Sequence, residues 1–194
     1  MTARLVVLAS GEGTNLQAVI DACTKGEIDG RVVAVVSDRP TALALDRARA
    51  GGIAAIALPR HQGEDRPEYD ARLAAIVADY DPNWVVLAGW MRILTMKFLG
   101  CFPERVVNVH PALPGEFPGT KAIERAFETH AEHTGVMIHL VPDEGVDDGP
   151  VLATTVVAID ATDTIESLRE RVHAAEHALL VTTLARLCIK EVPA

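Results

Sequence analysis

At 194 residues the chain is long enough to bury one sizeable core and too short for two ordinary domains with a linker, so one domain spanning residues 1–194 is expected. Hydrophobic residues make up 49% and charged residues 23%, which excludes disordered, collagen-like and low-complexity classes. Lys and Arg total 18 against 27 Asp and Glu, and the net charge of -9 argues against a surface that tracks nucleic-acid phosphates. Cys23, Cys101 and Cys188 are far apart and odd in number, which fits neither a disulfide framework nor a Cys-x-x-Cys metal cluster and points to a reducing cytoplasm. The first ten residues lack a cleavage signature, and no apolar run approaches a membrane span.

Taken in chain order, short β-branched runs alternate with stretches of helical spacing. Strands are expected at residues 5–9, 32–36, 84–88 and 106–110, continuous in hydrophobicity as parallel strands buried on both faces are. Helices are expected between them at 15–24, 41–51 and 66–80. A helix at 120–128, strands at 136–141 and 151–159, and a long terminal helix through Ile165, Leu168, Val172, Leu179, Thr183 and Leu187 complete the pattern. Such alternation predicts an α/β fold: a single doubly wound, mostly parallel, Rossmann-like sheet with helices on both faces.

Four segments carry side chains suited to chemistry. The loop Ser10-Gly11-Glu12-Gly13-Thr14-Asn15-Leu16 leaves the first strand and opens the first helix. Its glycines let backbone N–H groups approach an anion, although Leu16 stands where a dinucleotide fingerprint has its third glycine; a plain tight turn capped by Thr14 or Asn15 reads equally well. Asn108 and His110 share one face of a strand at its C-terminal end, where open α/β sheets place ligands. The amide is suited to hydrogen-bond a developing oxyanion and the imidazole to transfer a proton. A turn-rich acidic loop follows at 141–150, from which one carboxylate can reach His110 and hold it protonated; a solvated turn is the plain alternative, and metal binding a lesser one because the EF-hand spacing is missing. On the terminal helix Glu176 falls inside the apolar stripe, flanked by His173 and His177, and must be paired or bind something. His139 shares a strand face with Met137 and Val141, as a core or supporting residue does, and Trp90 to Leu94 can wall an aromatic ligand or simply connect strand to helix.

Read together, Gly11-x-Gly13-Thr14-Asn15-Leu16, Ala88-Gly89-Trp90-Met91-Arg92-Ile93-Leu94, Asn108-Val109-His110-Pro111, Gly135-Val136-Met137-Ile138-His139 and Val146-Asp147-x-Gly149 resemble the folate-dependent phosphoribosylglycinamide formyltransferases over nearly the whole chain. The resemblance implies transfer of a formyl group from 10-formyltetrahydrofolate to the amine of glycinamide ribonucleotide in purine biosynthesis, without metal, nucleic acid or membrane. It implies a catalytic trio of Asn108, His110 and Asp147, and substrate contacts from Gly13, Thr14, Asn15, His173 and Glu176. It further implies a folate pocket lined by Arg66, Met91, Arg92, Ile93, Leu94, Asn108, Asp143, Glu144, Gly145, Val146 and Asp147. The chain departs from the commonest family pattern at Ala112-Leu113-Pro114-Gly115-Glu116 and at Lys121, beside the expected site. Formyltetrahydrofolate hydrolases and methionyl-tRNA formyltransferases share the trio but normally carry a second domain, for which 194 residues leave no room. A non-catalytic nucleotide-binding module would use the glycine loop and leave the trio without a purpose. Oligomeric state, monomer or homodimer, is not written in these residues.

Overall fold

The middle of the sheet consists of strands with no face toward water. In β1 (Ala3–Leu8) the side chains of Leu5, Val6, Val7 and Leu8 are fully buried, each worth roughly 1.5–3 kcal/mol of apolar transfer. A strand of this kind must be covered by helices above and below. The computed structural model describes residues 2–189, and in it seven strands stand in the order β3-β2-β1-β4-β5-β6-β7. The others are β2 (Gly30–Ser37), β3 (Ala54–Ala57), β4 (Trp84–Leu87), β5 (Val106–His110), β6 (His133–Leu140) and β7 (Val151–Ala158). β1 to β5 run parallel, and β6 and β7 close the sheet antiparallel.

The helices are α1 (Thr14–Lys25), α2 (Leu43–Ala50), α3 (Arg66–Ala78), α4 (Met96–Leu99), α5 (Ala122–Glu128) and α6 (Ile165–Ile189). Leu16 and Val19 of α1, Leu45 of α2, Ile123 of α5 and Leu168, Val172, Leu180 and Leu184 of α6 bury against one face of the sheet. Tyr69, Leu73 and Val77 of α3 and Phe98 and Leu99 of α4 bury against the other. Asp65 starts α3 with a reciprocal capping box to Glu68.

Two elements escaped the sequence reading. β3 is an edge strand of sequence Ala-Ala-Ile-Ala, poor in the β-branched residues that mark a strand, and α4 is barely one turn. α6 also departs from expectation, because by length and composition it is apolar enough to cross a membrane. Here its apolar stripe packs on the sheet.

The chain builds β1, β2 and β3 outward in one direction, then returns through α3 to place β4 on the other side of β1. The loops after β1 and β4 therefore diverge, and a crevice opens between them at the carboxyl ends of the strands. On the antiparallel side the segment 141–150 bulges out between β6 and β7, and its return is tight: a Cβ on Gly149 would overlap the Leu140 carbonyl oxygen. Gly149→Ala is expected to lower stability by about 1–3 kcal/mol, read as a lower denaturation midpoint at unchanged m-value.

Candidate active site

The crevice is a cavity of about 720 Å³ lined by the ends of β1, β4, β5 and β6 together with α1, α6 and the acidic turn. Its floor is tied across the crevice: the Ser10 N–H donates to the Gly89 carbonyl at 3.0 Å, and the Met91 N–H donates to Ser10 Oγ at 3.0 Å. Gly13 caps α1 in the left-handed region at φ 73°, with no side-chain hydrogen bond at the cap, contrary to a Thr14 or Asn15 cap. Asn15 is buried, its Oδ1 has no partner among the described residues, and Gly13, Thr14 and Asn15 all line the cavity. Gly13 is required on steric grounds alone, since a Cβ there would stand 2.8 Å from Ala44 of α2.

Asn108 and His110 meet the acidic turn from the end of β5, and Asp147 is the residue that joins them. Its Oδ1 accepts from Asn108 Nδ2 at 3.0 Å; its Oδ2 accepts from the Gly119 N–H at 2.7 Å and lies 3.2 Å from His110 Nδ1. Asp147 holds a positive φ of 55°, strain of the kind that functional turns carry. The adjacent Asp148 is exposed, so the two neighbouring carboxylates have separate surroundings. On the far side of the imidazole, His110 Nε2 lies 3.2 Å from the Phe117 carbonyl. His139 completes the cluster, with Nε2 3.1 Å from Asn108 Nδ2.

The protonation of His110 differs from the sequence expectation. Burial pushes its pKa below the ordinary histidine value, and the pull of Asp147 and of the Phe117 carbonyl toward the charged form only partly offsets this. Asp147 goes the way a buried carboxylate usually does not. Burial raises its pKa, but contact with His139, the Gly119 N–H and the neighbouring His110 outweigh that and hold it low. The pair is a carboxylate beside a neutral imidazole that has acceptors at both ring nitrogens, ready to hold a proton once one arrives.

On the opposite wall Glu176 is 4% exposed and meets His173 Nδ1 at 2.7 Å, and both line the cavity. That hydrogen bond raises the His173 pKa, whereas burial lowers that of His177, whose Nε2 is buried without a hydrogen-bond partner among the described residues. Met91, Arg92, Ile93 and Leu94 line the β4 side. Arg92 stacks 4.6 Å over the Tyr69 ring, 3.7 Å from Asp38, and the buried Asp70 accepts the Thr95 N–H at 2.5 Å, so this wall is anchored on α3. Asp143, Gly145, Val146 and Asp147 line the cavity, but Arg66 and Glu144 do not. They pair with each other at 3.7 Å outside it, where Arg66 also donates to the Ile93 carbonyl and Glu144 accepts the Met96 N–H.

The Pro118-Gly119 pair marks a turn beside the site in the sequence, but it does not show that Phe117 and Gly119 supply two of the trio's contacts from backbone atoms. Ala112, one of the departures, is fully buried, and Leu113 packs where a side chain on Gly135 would sit. Lys121 lines the cavity from the start of α5 with a positive φ of 58°. Among the described residues no group of three or more His, Cys, Asp and Glu is arranged to hold a metal ion.

The chain is similar to known proteins over nearly its whole length. Residues 3–184 match the family model described as formyl transferase. The phosphoribosylglycinamide formyltransferase of Dictyostelium discoideum is 42% identical over 98% of this chain and 100% of its own length. That of Escherichia coli is 41% identical over 90% of this chain and 82% of its own. Among solved structures, glycinamide ribonucleotide transformylase 1 of Symbiobacterium toebii superposes with a TM-score of 0.94 at 38% identity, covering 100% of this chain and 91% of that one.

In an NMR titration His110 is expected to protonate below the ordinary value near 6.5, and Asp147→Asn should move that midpoint lower still by removing the attracting charge. Because the unfolded chain binds these protons more readily, His110 and His177 each withdraw stability as the pH falls from about 6.5 through their lowered values. His173 has the opposite sign: its contribution is complete below about 6.5 and is lost as the pH rises through its raised value. A His110 midpoint above 6.5 would contradict the dominance of burial.

Proposed function

This chain belongs to the formyl transferase family, and we propose that it moves a formyl group from 10-formyltetrahydrofolate to the terminal amine of glycinamide ribonucleotide, as a cytoplasmic enzyme of purine biosynthesis. The observation that carries the reading is convergence in one cavity of three features: the Asn108, His110 and Asp147 cluster, the open N-terminus of α1, and the buried Glu176. A binding module needs the second feature only.

The donor and acceptor halves of the cavity differ in chemistry. Met91, Ile93 and Val146 are 55%, 45% and 41% exposed around the β4 side, an apolar surface suited to a flat heteroaromatic ring. Opposite, the N–H groups of Thr14 and Asn15 have no side-chain cap and sit at the positive end of the α1 dipole, which suits the ribonucleotide phosphate. Glu176, held by His173, faces the same side as a partner for ribose hydroxyls or the amine.

Amine attack on a formamide carbon builds negative charge on oxygen and leaves a surplus proton on the attacking nitrogen. His110 begins neutral and can take that proton. Once charged, it is stabilised by Asp147 Oδ2 on one side and the Phe117 carbonyl on the other, and as an imidazolium it offsets the negative oxygen. Returning the proton to the leaving nitrogen restores the neutral ring.

Formyl transfer to glycinamide ribonucleotide, with hydrolysis of the donor followed in parallel, tests the reading: transfer should dominate, and hydrolysis at an equal rate would assign the chain to the hydrolases. Glu176→Gln is expected to raise the Michaelis constant for the ribonucleotide by roughly tenfold, the usual cost of a charged hydrogen bond, and to leave that for the folate unchanged. The same variant should return the His173 pKa toward the ordinary value.

A further inference from the structure

The loop before α1 is stitched to α2, a helix that lines no part of the cavity. Its Gly11 carbonyl accepts the Ala44 N–H of α2 at 3.1 Å, and its Glu12 carbonyl accepts from Arg47 Nε at 2.8 Å. Arg47 Nη1 also donates to Gln17 Oε1 at 3.3 Å, so one half-buried side chain grips both the loop and the first turn of α1. Had α1 begun earlier, those two carbonyls would accept from the N–H groups of Asn15 and Leu16. They are turned to α2 instead, and the first bond of α1 runs from the Gln17 N–H to the Gly13 carbonyl at 2.9 Å.

A trans peptide points its N–H opposite to its carbonyl. With the Gly11 and Glu12 carbonyls toward α2, the N–H groups of Glu12 and Gly13 face the other way, where both residues line the cavity. Together with those of Thr14 and Asn15 they make an unbroken row of N–H groups, none with an acceptor among the described residues. Asn15, 8% exposed, adds its unpartnered Oδ1 to the same end of the cavity, a buried polar atom of the kind a ligand satisfies. The weak point of the row is the peptide between Glu12 and Gly13. Glycine tolerates φ of either sign, so that peptide turns over at little cost, and its carbonyl would then face an anion in place of its N–H.

We propose that Arg47 is a positioning residue for the substrate phosphate: it clamps the Glu12 carbonyl to α2 and so keeps the Glu12–Gly13 peptide with its N–H toward the cavity. This rests on the formyl-transfer reading above and deepens it. Arg47 itself touches no substrate. Its guanidinium lies behind the peptide it holds and polarises the N–H that meets the anion, as successive hydrogen bonds in a chain strengthen one another. The Gly11–Glu12 peptide needs no such clamp, because the main-chain N–H of Ala44 holds it. A side chain does for one peptide what the helix backbone does for its neighbour.

Titration with inorganic phosphate, followed at the Glu12 and Gly13 amide resonances, reads the clamp directly. Arg47→Met is expected to weaken phosphate binding about tenfold, as for loss of a hydrogen bond from a charged donor, and Arg47→Lys, which keeps the charge and loses the fork, about threefold. Arg49→Met removes the same charge from the exposed face of α2, where Arg49 pairs with Asp46, and should bind phosphate as the parent does. With glycinamide ribonucleotide, Arg47→Met should raise the Michaelis constant about tenfold, with kcat and the folate constant little changed; with the riboside that lacks the phosphate, its Michaelis constant should equal the parent's. A folded Arg47→Met with the parent's phosphate affinity, an equal loss on the riboside, or Arg49→Met as weak as Arg47→Met overturns the proposal. If Arg47→Met fails to fold, Arg47→Lys decides, and an affinity equal to the parent's overturns the clamp. A parent protein that binds phosphate at these amides without transferring formyl overturns the underlying reading alone, and the variants still report on Arg47.

Discussion

One carboxylate holds the working end of this molecule together. Asp147 reaches Asn108 and His110 at the end of β5, stands beside His139 of β6, and accepts the backbone N–H of Gly119 from the loop before α5. Its turn is pinned in place by Gly149, which allows the chain to press against Leu140. Because the side chain is only 11% exposed, each of those contacts acts at short range in a medium that screens poorly, and losing one leaves a buried polar group unpaired. Three segments, β5, β6 and the loop before α5, therefore share the charge of a fourth, the turn that carries Asp147. The left-handed backbone at Asp147 is tolerated because all of them constrain it.

Burial and charge oppose each other at His110, and the balance sets what the residue can do. Desolvation favours the neutral ring, while a carboxylate and a carbonyl lie at its two nitrogens as if for an imidazolium. A ring held firmly charged would have no capacity to accept a proton, and one without acceptors would have nowhere to keep it. The sequence shows the carboxylate that attracts charge but cannot show how deeply the ring is buried, which is why the expectation of a protonated His110 had the sign of the net effect reversed.

The parallel strands were legible because residues buried on both faces must be apolar throughout, and Val32 to Val36 or Trp84 to Leu87 have few other uses for such runs. β3 was not, since Ala54 to Ala57 lies at the sheet edge where little selects for β-branching. In the site, Asn108 and His110 were found through the two-residue period of a strand, and Glu176 through its wrong-face position on a helix. The roles of Phe117 and Gly119 were not legible for a different reason: the Pro118-Gly119 pair marks a turn, but the contacts come from backbone carbonyl and N–H groups that every residue possesses. Arg66 and Glu144 show the reverse case, two charged side chains that face each other at 3.7 Å beside the cavity and half in solvent. Spacing places a residue near a site; it does not say which neighbour takes its charge.

The return of the chain that opens the crevice also dictates when the crevice can exist. Arg4 meets Asn83 across 79 residues, and the tie between Ser10 and Met91 spans 81, so β1 and its first neighbours must wait for β4 before the floor is laid. Asp147 is added later and Glu176 later still. Contacts of such separation form slowly, because the loop entropy is lost before the pairing rewards it. During synthesis β1, β2 and β3 emerge with one edge of β1 unpaired, an adhesive template of apolar residues exposed until the second half of the sheet arrives. The geometry that makes a place for two substrates thus leaves the nascent protein dependent on prompt completion of its own chain.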